Sequence, residues 1–221
     1  GLRESRERDV ERRAMPWTEP TDHATLFEPR RDRCPWCGAG DLVARLDTTD
    51  LLQHKPGRFH LDECRGCGHV FQNPALSRRG LDHYYDQFYE GEGEEPWEFA
   101  FAAMGGAYRR RGDALARHAE PRAWLDVGTG HGHFCLAARQ RWPDATFDGL
   151  DLSASVDEAA RRGWIDAAYR GLFPDLADSL SRSYDVVSMH HYLEHTRDPR
   201  RELSAASKAL EPGGHLMIEG P

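Results

Sequence analysis

Between an apolar run and an amphipathic one stands a loop with three glycines at alternate positions, Gly128-Thr129-Gly130-His131-Gly132. Trp124-Leu125-Asp126-Val127 before it reads as a strand, and His133 to Arg141 after it reads as a helix. Glycines here let the backbone approach a ligand closely, and a helix start offers free amides. The spacing is G-x-G-x-G. A dinucleotide loop would need a glycine at 133, which is histidine. The shorter loop suits a ligand without a pyrophosphate.

The elements after the loop repeat the alternation. Ala145 to Leu150 is a second strand ending at Asp151-Leu152. Ser153 is placed to cap a helix reaching about Arg162. Ala167 to Tyr169 is a weak third strand and Tyr184 to Met189 a fourth. Asp198 to Leu210 is helical and stops at Glu211-Pro212-Gly213-Gly214, before a fifth strand, His215 to Glu219. Alternating strands and helices predict an α/β fold with a doubly wound parallel sheet. Ligands of such sheets bind at the carboxyl ends of the strands, where the Asp151 carboxylate can accept both hydroxyls of a ribose.

The first half is organised by cysteine. Cys34-Pro-Trp-Cys37 and Cys64-Arg-Gly-Cys67 are separated by 26 residues, and each pair is followed by glycine, Gly38 or Gly68. Two such knuckles supply the four thiolates of a structural zinc, with Cys34, Cys37, Cys64 and Cys67 as ligands. Two disulfides or four unrelated thiols are the alternatives, and disulfides fit poorly without a secretion signal. Leu42 to Leu46 and Arg58 to Leu61 read as short strands, so the segment is expected to be a zinc ribbon. Cys135 is left over and reads as a small core residue.

The expected organisation is a tail over 1–29, a zinc ribbon over 30–80, a helical and aromatic linker or lid over 81–120, and an α/β domain over 121–221. In the linker, Leu81 to Tyr89 carries Tyr84, Tyr85, Phe88 and Tyr89 at helical spacing. Those rings either pack on a neighbouring domain or line a substrate pocket. Residues 90–98 hold five Glu and two Gly, the composition of a solvated linker or mobile lid, and Phe99 to His118 looks helical.

The formal net charge is -8 and the pI about 5.8. That balance argues against nucleic acid as the main partner. No window carries the roughly 18 apolar residues of a membrane span. The N-terminal stretch GLRESRERDVERR lacks an apolar core, so it reads as neither signal peptide nor anchor. The expected setting is cytoplasmic. The basic residues are 27 Arg and 2 Lys, which reads as the background of a GC-rich genome.

LDVGTGHGHF, GLDLS, YDVVSMHHYLEHTRDP and LEPGGHLMIEGP resemble, in order, the motifs of class I S-adenosylmethionine-dependent methyltransferases. The resemblance covers residues 121–221. It implies a Rossmann-like sheet in which Gly128, Thr129, Gly130 and Gly132 pass the methionine part of the cofactor. By the same likeness Asp126 sits under its amino group, Asp151 holds the ribose and Leu152 flanks the adenine. Gly171, Leu172 and Phe173 fall near the adenine edge, and Met189 and His190 beside the sulfonium. The cysteine-rich half, with YYDQFY after it, resembles methyltransferases with an N-terminal zinc-binding domain, some of which methylate deoxysugars in antibiotic pathways. In the sugar enzymes a Glu-His pair after the fourth strand is associated with deprotonating the acceptor, and Glu194-His195 matches it.

The expected activity is methyl transfer to a small-molecule acceptor of secondary metabolism, with His195 as the first choice of base, Glu194 as its companion and His191 as the second choice. A histidine side chain titrates near neutrality, which suits the role. Two other readings stand: an rRNA methyltransferase with a zinc finger, and a cofactor-binding scaffold without activity. Class I sheets continue past the fifth strand into an antiparallel hairpin, so the sheet is expected to be cut short here, with further strands beyond Pro221.

Overall fold

The computed structural model describes residues 23–51, 55, 57–85 and 104–220. It divides into two compact units, 1–86 and 87–221. The expected tail up to residue 22, the acidic stretch 90–98, Phe88 and Tyr89 lie outside the described residues.

The first unit is built on an antiparallel sheet of β1 (Leu42–Thr48), β2 (Phe59–Cys64) and β3 (Val70–Gln72), in that order. Both expected strands are present, and β3 is an addition. Three residues, none of them buried, give too little pattern to read from sequence. Helix α1 (Arg78–Tyr85) begins three residues before the expected aromatic segment and straddles the boundary drawn at 80. Buried Tyr84 meets the Phe59 ring of β2 edge-on at 5.1 Å, so this ring is part of the first unit's own core. Buried Lys55 donates from Nζ to the carbonyls of His83 and Tyr84, at 2.9 and 2.8 Å. A cation there complements the negative end of α1. Asp62 of β2, itself buried, accepts two bonds from Arg30 Nη2 and one from Asn73 Nδ2, tying the chain before the first knuckle to the sheet.

The second unit begins, among described residues, with α2 (Gly105–Leu115). There follow β4 (Ala123–Val127), α3 (His133–Arg139), β5 (Thr146–Asp151), α4 (Ser155–Arg161), β6 (Ala168–Arg170), α5 (Phe173–Leu176), β7 (Tyr184–His190), α6 (Pro199–Ala209) and β8 (Leu210–Glu219). The sheet order is β6-β5-β4-β7-β8 and every pairing is parallel. This is the predicted doubly wound α/β sheet. The chain leaves β4 in one direction to form β5 and β6, and returns on its other side as β7 and β8. The crevice between the two halves opens at the carboxyl end of β4.

Alternate residues of the central strands feed two cores. Trp124, Phe147 and Val186 pack with Phe134, Cys135 and Ala138 of α3 on one face. Leu125, Val127, Leu150, Val187 and Met189 pack with Phe173 and the α6 alanines 205, 206 and 209 on the other. Each large side chain buried this way contributes roughly 1.5–3 kcal/mol. Cys135 is fully buried, as its sequence setting implied.

Two local expectations need correction. Ser153 does not cap α4. Its amide and hydroxyl are both spent on Asp151 Oδ1, each at 2.9 Å, and Ala154 is the cap residue. The fifth strand starts at Leu210 rather than His215. Leu210 pairs with Tyr184 and His215 with Val186, so residues 211–214 bulge out between two ladder contacts. Proline and glycine are tolerated in a strand at such a bulge.

Candidate functional site

Two constellations stand out, one in each unit. In the first, the four cysteines predicted as ligands come together, with all four sulfurs within 4.8 Å of one another. Cys34 Sγ lies 3.8 Å from Cys67 Sγ, and Cys37 Sγ 3.5 Å from Cys64 Sγ. A disulfide would bring a pair to about 2.05 Å. Four sulfurs each about 2.3 Å from a central ion would stand about 3.8 Å apart, so the arrangement fits zinc. Gly38 and Gly68 adopt φ of 77° and 75°, and their amides bond the carbonyls of Cys34 and Cys64 at 2.9 and 2.8 Å. A side chain would strain both turns, which explains the glycine after each pair. Cys34 and Cys64 are buried and Cys37 and Cys67 exposed. The four-sulfur set fills a tetrahedral shell by itself and leaves no position for a substrate.

The second constellation lies at the carboxyl ends of β4, β5, β7 and β8. The loop after β4 leans onto β5, with the amides of Gly128 and Thr129 bonding Leu150 O at 2.8 and 3.2 Å. Gly130 N donates to Asp151 Oδ2 at 2.9 Å. Asp151 thus holds the glycine loop with Oδ2, which keeps a lone pair for a further donor, while Oδ1 takes both bonds from Ser153. A side chain added at Gly130 would meet nothing within 4 Å among the described residues, so the loop faces open space there. At Gly128 a Cβ would stand 2.7 Å from the Tyr192 ring, so the turn after β7 packs directly on the loop. Two apolar side chains border the end of this half: Leu152 is 59% exposed and Leu172 42%.

Other residues named from the sequence sit deeper. Asp126 is buried and accepts from Ser188 Oγ at 2.6 Å, and Ser188 in turn accepts from Trp124 Nε1 at 2.8 Å. Burial, only partly offset by hydrogen bonds from Ser188 and Thr129, pushes its carboxyl up to about 6. Thr129 is buried beneath the loop. Met189 and Phe173 are fully buried in the second core, so their side chains face packing partners rather than the open rim. The resemblance places both beside the cofactor, and any such contact falls to their backbone, not to these side chains.

The acceptor side is a cluster of imidazoles and carboxylates. His190, the last residue of β7, has a side chain only 6% exposed and packs edge-on against Phe134 at 4.6 Å. Neither ring nitrogen has a hydrogen-bond partner among the described residues. Burial, helped by the Arg111 charge, holds its pKa down to about 3, so the ring is neutral at physiological pH. His191 follows at φ 50°, outside the region most side chains prefer. Its Nδ1 is 3.4 Å from Glu194 Oε1 and its Nε2 3.4 Å from Glu219 Oε1. His195 is exposed in the 3-10 turn Leu193–His195. The expected carboxylate companion, Glu194, therefore stands beside His191. Sequence reasoning missed Arg111 and Glu219. Arg111 of α2, buried, donates from Nε and Nη2 to the two Glu219 oxygens at 2.7 and 2.9 Å.

The strand-end acid, the loop with open space at Gly130 and the apolar rim fit an adenosine-bearing ligand such as S-adenosylmethionine. Among curated proteins, the chain is 33% identical over 104 residues to a ubiquinone biosynthesis O-methyltransferase of Alkalilimnicola ehrlichii, covering 45% of this chain and 41% of that one. A protein of the same name from Vibrio atlanticus is 34% identical over 99 residues, covering 42% and 41%. The chain thus spans about two fifths of the length of these relatives. Among solved structures, a sugar N-methyltransferase from Streptoalloteichus is 28% identical, with TM-score 0.43 and coverage of 62% of this chain and 53% of that one. An O-methyltransferase family protein from Burkholderia thailandensis is 22% identical, with TM-score 0.43 and coverage of 64% and 41%. Residues 97–221, more than half of the chain and including the whole parallel sheet, match the methyltransferase domain family, and the chain belongs to that family.

Proposed function

We propose that this protein binds S-adenosylmethionine across the carboxyl ends of β4, β5 and β7 and transfers its methyl group to a hydroxyl of a small-molecule acceptor. The observation that carries the reading is the Asp151 carboxylate, tethered to Gly130 at the end of β5 through Oδ2, which can still accept a further donor. The names of the curated relatives support oxygen as the atom methylated. The likeness of the cysteine-rich half to methyltransferases of antibiotic pathways supports a natural-product acceptor, and free thiols support a reducing cytoplasm.

In this reading Asp151 accepts the ribose hydroxyls. Leu152 and Leu172 cover the faces of the adenine. The backbone of Gly128, Thr129, Gly130 and Gly132 lies along the methionine part, and Asp126, beneath the loop, faces its ammonium group through the loop's amides. When bound, the cofactor supplies a methyl group already activated by a sulfonium. The chain's own task is to place the acceptor oxygen in line with that methyl, an effect able to supply roughly 7–11 kcal/mol. The turn with His191, Glu194 and His195 takes the acceptor's proton, which is worth about 10²–10⁴-fold. The four cysteines hold one zinc that shapes the first unit and takes no part in the transfer.

Calorimetry with S-adenosylmethionine and its demethylated product tests the first half of the proposal, and saturable binding of both is expected. Transfer of labelled methyl to 3,4-dihydroxybenzoate and to a nucleotide-linked deoxysugar tests the second. Absence of binding to either cofactor form sinks the reading. Methylation of the sugar carbon alone would move the acceptor from oxygen to carbon.

A further inference from the structure

We infer that Tyr192 is a positioning residue, pinned through its hydroxyl to Glu202, that seats the turn carrying His191, Glu194 and His195 against the first glycine of the loop after β4. The inference rests on the methyl-transfer reading and names the side chain that sets the spacing of its two halves.

Three relationships lead to it. First, the ring lies on the loop. A Cβ at Gly128 would stand 2.7 Å from Tyr192 Cδ2, 3.3 Å from Cγ and 3.2 Å from Cβ. The contact is made by the root of the side chain, which cannot swing aside as a flexible tip would. Second, the far end of the ring is fixed. Tyr192 Oη donates to Glu202 Oε2 at 3.0 Å. Burial, with the Glu202 charge beside it, holds the phenol well above its usual value, so the hydroxyl is the donor. Glu202 belongs to the first turn of α6, is 6% exposed, and is carried by a helix whose alanines 205, 206 and 209 are locked in the second core. Its carboxylate makes no ion pair among the described residues, and burial raises its pKa. A buried carboxylate spent on a neutral hydroxyl costs stability that two apolar side chains in the same places would not. Third, the backbone of Tyr192 carries the turn. Its carbonyl accepts the His195 amide at 3.0 Å, and the preceding amide, of His191, is tied to the Glu219 carbonyl at 2.8 Å.

The titratable side chains at 191, 194 and 195 therefore branch from a backbone whose place beside the loop is set where the ring meets Gly128. In the proposed reading the loop lies along the methionine part of the cofactor and the turn takes the acceptor's proton. In-line transfer needs reacting atoms about 3–3.5 Å apart, and a misplacement of about 1 Å costs roughly 10²-fold. The Tyr192–Glu202 bond keeps the ring from rocking about its root, and so holds the spacing between the cofactor loop and the groups that receive the proton. A cofactor that stills the loop should still the turn as well, through the same ring.

The test uses the full chain, with S-adenosylmethionine as cofactor and 3,4-dihydroxybenzoate as probe. Tyr192→Phe and Glu202→Leu should each lower kcat about 10-fold or more and change KM for the cofactor less than about 3-fold. Glu202→Gln keeps an oxygen for the phenol and should retain most of kcat. Equal losses in Glu202→Gln and Glu202→Leu overturn the role of the bond. The double variant Tyr192→Phe/Glu202→Leu leaves neither partner unpaired, so its urea midpoint should not fall below that of either single variant, while kcat stays low. A kcat that returns with stability makes the pair a structural prop and overturns the positioning role. A loss confined to cofactor affinity, read by calorimetry, makes Tyr192 a ligand contact and overturns it too. Hydrogen exchange decides without turnover. S-adenosylmethionine should slow exchange of the His195 amide in the unaltered protein, and the slowing should shrink in Tyr192→Phe. Equal slowing in both proteins, or none in the unaltered one, overturns the inference. If the unaltered protein binds S-adenosylmethionine but methylates no probe, the hydroxyl-acceptor reading fails alone, and the exchange data decide the place of Tyr192. Absence of cofactor binding sinks the methyl-transfer reading and the inference together.

Discussion

Arg111 and Glu219 stand 108 residues apart and meet as a two-pronged ion pair, with Nε and Nη2 donating to separate carboxylate oxygens. The pair joins the helix that precedes the parallel sheet to the end of its last described strand. Arg111 is 7% exposed, so its charge depends on this partner, whereas the Glu219 side chain is 40% exposed and partly screened.

Glu219→Gln should destabilise the second unit by about 1–2 kcal/mol at pH 7, below the full cost of a buried pair because of that exposure. The folded-state pKa of Glu219 is lowered from 4.5 to about 2. A depressed carboxylate contributes stability that is fully present above 4.5 and is lost as pH falls toward 2. Urea unfolding of both proteins should therefore show a gap at pH 7 that narrows at pH 3. A gap independent of pH would mean that the variant acts through packing alone.

Asp126 titrates in the opposite sense. Burial raises its folded-state pKa from 3.8 to about 6. A raised carboxyl pKa favours the folded state only while the group is protonated, so its contribution is lost as pH rises from about 4 to 6. Asp126→Asn keeps an acceptor for Ser188 Oγ and carries no charge. It should gain about 1–3 kcal/mol on the unaltered protein between pH 4 and 7.5, since one pKa unit corresponds to about 1.4 kcal/mol. Denaturant midpoints at the two pH values measure this. Parallel curves for the two proteins would show that Asp126 is ionised throughout.

The cysteine cluster predicts about one zinc per chain by elemental analysis. Cys64→Ser removes a buried ligand and should abolish stoichiometric zinc. Strong chelators should unfold the first unit, because apparent zinc binding of roughly 10–16 kcal/mol is also folding energy in small metal domains. Hydrogen exchange read by peptide should then rise in β1, β2 and β3 while β4, β5 and β7 stay protected. Retained protection of β2 in a zinc-free protein would assign the four thiols another purpose.

These features differ in how far they could be read from sequence. The cysteine spacing and the glycine loop were legible because each fixes chemistry within a few residues. Strand and helix alternation from 121 onward was legible because apolar runs of four to seven residues alternate with amphipathic ones. The Arg111–Glu219 pair was not, since nothing in an arginine-rich helix marks which arginine turns inward. The Trp124–Ser188–Asp126 chain needs the in-register pairing of Asp126 with Ser188 across β4 and β7. Met189 and Phe173 are placed beside the cofactor by resemblance alone, which gives a position along the chain and not a side-chain direction, and the parity of the strand and the start of α5 send both side chains into the core. Ser153 matched a cap pattern, yet the nearer carboxylate of Asp151 took its hydroxyl.

That same carboxylate gives the last prediction. Asp151 bonds Gly130 N, Ser153 N and Ser153 Oγ, and it is proposed to accept the ribose hydroxyls as well. Asp151→Ala removes the acceptor for the ligand and also the tether of the glycine loop. Charge-assisted hydrogen bonds are worth roughly 1.5–3 kcal/mol each, so S-adenosylmethionine affinity should fall at least about 10-fold. Asp151→Asn separates the two roles. Its amide oxygen can keep the Gly130 bond, while the loss of charge weakens the ribose contacts. Calorimetry should place Asp151→Asn between the parent protein and Asp151→Ala. The exchange rate of the Gly130 amide should rise in Asp151→Ala and stay near the parent value in Asp151→Asn. Equal affinities for all three proteins would place the ribose elsewhere. A loss in Asp151→Ala alone would assign Asp151 to the loop and not to the ligand.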